Sequence, residues 1–80
     1  MSNYLLLFCE YRPNSETADN VVEEGFNTQK AAYARMMDMY RTLAIEGNPD
    51  KIANADFGEH WATVNYTDGS KATIEILEKV

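Results

Sequence analysis

What the chain has little of narrows it first. It contains one cysteine, Cys9, and one histidine, His60. A single thiol cannot close an internal disulfide, and no Cys/His cluster has the spacing of a structural zinc site, so neither a cross-link nor a metal is expected to hold the fold. The longest apolar run, YLLLFC at residues 4–9, is too short for a signal-peptide core, lacks a basic leader, and falls far short of a bilayer span. A cytoplasmic setting with no membrane association is expected. The NYT triplet at residues 65–67 matches a glycosylation acceptor, but without export it has no use. Basic residues are scarce as well: seven Lys and Arg against thirteen Asp and Glu give a net charge of −6. An acidic chain repels phosphate backbones, and no basic stripe interleaves with aromatics, so direct nucleic-acid binding is not expected.

Catalytic signals are equally thin. His60 has no readable nucleophile and orienting partner, and Cys9 alternates with apolar positions as a small core residue does. Asn48, Asp50 and Glu59 fall at positions one, three and twelve of a calcium loop, but Ile52 and Ala53 occupy positions that need an oxygen ligand and a glycine. No catalytic residue, cofactor or metal is expected, and the chain is read as a non-enzyme.

What is present suffices for one domain over residues 1–80. Hydrophobic residues make up 45% of the sequence, too many for disorder. A core of this size leaves about 3–5 kcal/mol of net stability, which keeps a homodimer open. The segment TQKAAYARMMDMYRTLAIEG, residues 28–47, organises the rest. Ala32, Met36, Met39, Tyr40 and Leu43 recur at helical spacing and fall within one arc. Thr28 suits the N-cap, and Gly47 followed by Pro49 suits the stop, giving an amphipathic helix at about 28–46.

NYLLLFCEYR, residues 3–12, reads as a strand with both faces apolar. Residues 13–27 are a long connection in which a short extra strand at 20–24 is an option. Residues 48–57 read mostly as loop. Residues 59–66 and 71–79 form a hairpin through Thr67-Asp68-Gly69-Ser70. A two-residue turn mixes apolar and polar side chains on both faces. A glycine-bulged turn instead sets His60, Ala62 and Val64 against Ile76, Ile74 and Ala72, which separates an apolar from a polar face and is preferred. Trp61 then lies on the polar face opposite Glu75. The expected fold is α+β, a β-α-β-β arrangement with a three-stranded, mainly antiparallel sheet and the helix on one face. The first strand pairs either with the third, which is favoured, or with the second.

The sheet face left open is the candidate interface: Tyr4, Leu6 and Phe8, or their alternates, with Trp61. A second candidate is the acidic segment carrying Glu16, Asp19, Glu23 and Glu24, either a solubilising loop or a binding arm. The YLLLF opening strand, the FNT helix entry and the terminal WATVNYTDGSKATIEI hairpin, carried on 80 acidic residues, resemble the small proteins of phages and mobile elements in gut bacteria, a group that includes anti-CRISPR inhibitors. The likeness is one of size, charge and layout and carries over no site residue. Two functions are therefore expected to compete: a module that binds a protein or a second copy of itself through the open face, and a phage-type inhibitor whose acidic segment mimics nucleic acid in a basic groove.

Overall fold

Strand β1, Tyr4–Tyr11, is an interior strand of the sheet, one place in from an edge. In the computed structural model, which describes residues 3–79, it pairs antiparallel with β2, Asn20–Phe26, on one side and with β5, Lys71–Glu78, on the other. Strand β4, Trp61–Tyr66, follows β5, and β3, Ile52–Phe57, closes the far edge. The order is β2-β1-β5-β4-β3, with every neighbouring pair antiparallel.

The expected three-stranded sheet is thus corrected to five strands. The first addition, β2, matches β1 residue for residue from Tyr4 opposite Phe26 to Glu10 opposite Asn20. The long connection shrinks to residues 12–19, where Asn14 takes a φ of 62° and the Arg12 backbone and side chain both donate to the Asp19 carboxylate. The second addition, β3, occupies residues read as loop. A bulge between Ile52 and Asn54 breaks its two-residue period. Ile52, Ala55 and Phe57 pair with Tyr66, Val64 and Ala62, so an irregular apolar spacing in the chain becomes one continuous face in the sheet.

Helix α1, Gln29–Tyr40, starts where Thr28 Oγ1 accepts from the Ala31 amide at 3.2 Å. It buries Ala32, Met36 and Tyr40, four residues apart along one stripe. The final turn, Arg41–Ile45, is a π-helical turn in which the Glu46 amide donates to the Arg41 carbonyl at 2.9 Å. Gly47 passes so close beneath that turn that a Cβ would stand 2.6 Å from the Leu43 carbonyl oxygen, and only glycine fits.

The β4–β5 hairpin adopts the glycine-bulged register: Trp61 faces Glu75, Ala62 faces Ile74, and Val64 faces Ala72. Gly69 takes a φ of +93°, and its amide donates to the Tyr66 carbonyl. Leu6, Val64, Ile74 and Met36 are the largest fully buried side chains, each contributing about 1.5–3 kcal/mol on burial. All four lie between the sheet and α1. No helix among the described residues is long and apolar enough to cross a membrane.

Candidate interaction face

Successive side chains of a strand point to opposite faces, so placing Leu6, Ile74 and Val64 under α1 places their neighbours on the other side. Among the described residues no element lies over that side. β1 contributes Leu5, Leu7 and Cys9; β5 adds Thr73, Glu75 and Leu77; β4 adds Trp61 and Thr63. Val21 and Glu23 extend the face onto β2. Val21, Trp61 and Leu77 are 51%, 42% and 43% exposed, large values for apolar side chains lying on one surface. Cys9 is buried even here, a small residue sunk between larger neighbours.

Trp61 is held rather than loose. Its indole lies over Gly58, where any Cβ would run into the ring, and its carbonyl accepts from the Gly58 amide at 2.8 Å. The charges of the face are mostly acidic. Glu23 and Glu75 flank Leu7 on either side, and among the described residues neither carries an ion pair. Lys71, the one cation at a strand position of this face, stands 4.7 Å from the centre of the Tyr11 ring.

The residues expected to bind a partner divide between two surfaces. Trp61 is on the uncovered face. Leu6 and Phe8 are not: they are 0% and 8% exposed beneath α1, and Tyr4 packs half-buried against the same core. Their placement on an open face is corrected to that of their alternates Leu5, Leu7 and Cys9. Both faces of β1 are apolar, so its own alternation does not say which side the helix takes. The useful signal lay in the hairpin register, since whatever aligns with Trp61 and Glu75 shares their face, and Leu7 and Leu77 do.

The acidic segment is divided as well. Glu23 and Glu24 are consecutive in β2 and point to opposite faces. Glu24 accepts from Arg35 at 3.2 Å, and Arg35 also reaches Asp38 at 3.3 Å. The hydrogen bond and charge of Glu24 hold the Arg35 guanidinium above its ordinary range. Asp19 binds Arg12 at 2.7 Å, a hydrogen bond that draws its carboxyl below the usual value. Glu16 is exposed in the loop.

His60 sits exposed at the rim of the covered face, where its Nδ1 meets the Gln29 side-chain nitrogen at 3.1 Å. Tyr66 is raised above the usual phenol range, first by burial and then by the charges of Glu10 and Asp68. Among the described residues no group of three His, Cys, Asp or Glu is placed to hold a metal.

With this geometry in hand, comparison with protein-family models, with curated proteins and with solved structures gives no match to the chain.

Proposed function

We propose that this protein is a small non-enzymatic interaction module that binds another protein, or a second copy of itself, through the sheet face opposite α1. The observation that carries the reading is the clustering of Leu5, Leu7, Val21, Leu77 and Trp61 on a surface that no other element among the described residues covers. A five-stranded sheet with one helix needs only one apolar face to fold, and apolar side chains gathered on the second are what an interface uses. The single buried thiol and the lack of a membrane-spanning helix among the described residues support a cytoplasmic setting. The acidic charge and small size support the phage or mobile-element origin that the sequence layout implies.

Nucleic-acid mimicry by Glu16, Asp19, Glu23 and Glu24 has weaker support. A phosphate-like row needs its carboxylates on one surface, whereas Glu24 is engaged with Arg35 on the helix side, Asp19 is engaged with Arg12, and Glu23 faces the other way. Light scattering and partner capture with Trp61→Ala test the main reading. A strict monomer whose partner capture is unchanged by that substitution would remove it.

A further inference from the structure

We infer that the uncovered face receives an amphipathic α-helix of a basic partner, whose lysines or arginines seat on Glu23 and Glu75 while its apolar residues cover Leu7 and Trp61. The inference rests on the interaction reading above and names the occupant of that face.

One cross-strand row carries it. Paired positions align Glu23 on β2, Leu7 on β1, Glu75 on β5 and Trp61 on β4. The row alternates acid, apolar, acid, aromatic at the strand spacing of about 4.8 Å, so the backbone positions of the two glutamates are about 10 Å apart with a leucine between them. Along one stripe of an α-helix, residues seven apart are separated by about 10.5 Å, and the residue three or four positions on lies midway. A helix laid across the strands therefore meets Glu23 and Glu75 with cations at i and i+7, and meets Leu7 and Trp61 with the apolar positions between and beyond. The chain's own α1 already crosses the sheet in this manner on the other side, contacting β1, β2, β4 and β5.

Charge selects the partner. Neither Glu23 nor Glu75 has a cation among the described residues, Asp56 adds a third carboxylate on β3, and Lys71 is engaged with the Tyr11 ring. Two copies face to face would bring all these carboxylates together, each chain carrying a net charge of −6. A basic helix meets the same carboxylates as counter-charges.

Trp61 is the only tryptophan, so its emission reports on this face alone. The probe is a synthetic leucine/lysine helix with lysines seven residues apart, compared with its leucine/glutamate twin and with a scrambled leucine/lysine peptide of the same composition. The leucine/lysine helix is expected to shift the Trp61 emission to the blue, and its binding to weaken with salt. Glu23→Lys with Glu75→Lys should reduce its affinity about tenfold or more, whereas Glu46→Lys with Asp50→Lys, equal in charge but away from the face, should leave it within about twofold. Glu23→Gln with Glu75→Gln, checked by circular dichroism, separates loss of charge from loss of fold and should weaken binding by a smaller factor. Equal binding of the glutamate twin or of the scrambled peptide, or an unchanged affinity in the lysine and glutamine variants, overturns the basic-helix inference and leaves the face reading standing. No Trp61 response to any of the peptides also overturns the basic-helix inference, and the face reading falls with it only if the protein is a strict monomer whose partner capture is unchanged by Trp61→Ala.

Discussion

Leu6→Ala and Leu77→Ala put the two faces of the sheet on one energy scale. Leu6 lies on a central strand between Glu24 and Ile76, is 0% exposed, and sits beneath α1. Truncating a fully enclosed leucine forfeits its transfer energy and leaves a cavity, together about 3–5 kcal/mol. A domain of this length holds about 3–5 kcal/mol in all, so Leu6→Ala should be largely unfolded at 25 °C. Leu77 is 43% exposed on the opposite face, which already forgoes nearly half of the burial, and no element among the described residues lies over it to leave a cavity. Its truncation should remove about 1 kcal/mol. Ile74→Val, a single methyl from a side chain 2% exposed, gives a third point at about 1 kcal/mol that remains folded enough to titrate. Urea unfolding followed by far-ultraviolet circular dichroism reads all three against the wild type. The face assignment fails if Leu77→Ala destabilises as much as Leu6→Ala, or if Leu6→Ala changes stability by less than about 1 kcal/mol.

Three further perturbations probe the frame around that core. Gly69→Ala places a side chain at a φ of +93° and should remove about 1–2 kcal/mol, seen as a lower Tm; an unchanged Tm would contradict the left-handed turn. The Asp19 carboxyl is held below its ordinary range by Arg12, so its contribution is present above the unfolded carboxylate value and is lost as the pH falls through the folded one. Arg12→Ala should therefore flatten the acid limb of a stability profile, and a profile of unchanged slope would show that the pair does not matter. Arg35→Ala breaks its contacts with Glu24 and Asp38, which are partly exposed, and should lower stability by less than about 1 kcal/mol, a difference that disappears in 1 M salt.

The helix and the β4–β5 hairpin were legible because several local signals coincided in each. Thr28, the four-residue spacing of Ala32, Met36 and Tyr40, and the Gly47 stop all describe one element. The hairpin register followed from requiring one apolar face, and Gly69 has the backbone that register needs. Strand β3 was not legible for a physical reason. Its bulge puts Ile52 and Ala55 on the same side although they are three positions apart, and Asn54 and Asp56 imitate a turn. Strand β2 was only partly legible, since Val21 and Val22 are both exposed and apolar, and Glu23 and Glu24 both acidic, so its alternation is blurred. Which side of β1 the helix covers is a tertiary choice. Leu5 and Leu7 offer it much the same apolar surface as Leu6 and Phe8, and the decision is made by Ile74 and Ile76 on β5, whose outward neighbours Lys71, Thr73 and Glu75 are polar.

That choice explains the character of the face left over. β5 alternates from Lys71 to Ile76 as a strand with one wet side should, but β1 does not, so Leu5 and Leu7 lie half-buried on the uncovered face among the more exposed Val21, Trp61 and Leu77. A bare leucine strip there would invite sheet-to-sheet association, and the residues flanking it in the paired row are Glu23 and Glu75. The same two carboxylates act in opposite senses on different visitors. Against another copy of this acidic chain they are like charges that resist contact, and against a cationic helix they are counter-charges that fix its register. Protection of the face and selection of its partner are then a single electrostatic property. A substitution that neutralises Glu23 and Glu75 loosens both together, raising self-association by the same change that weakens the basic ligand.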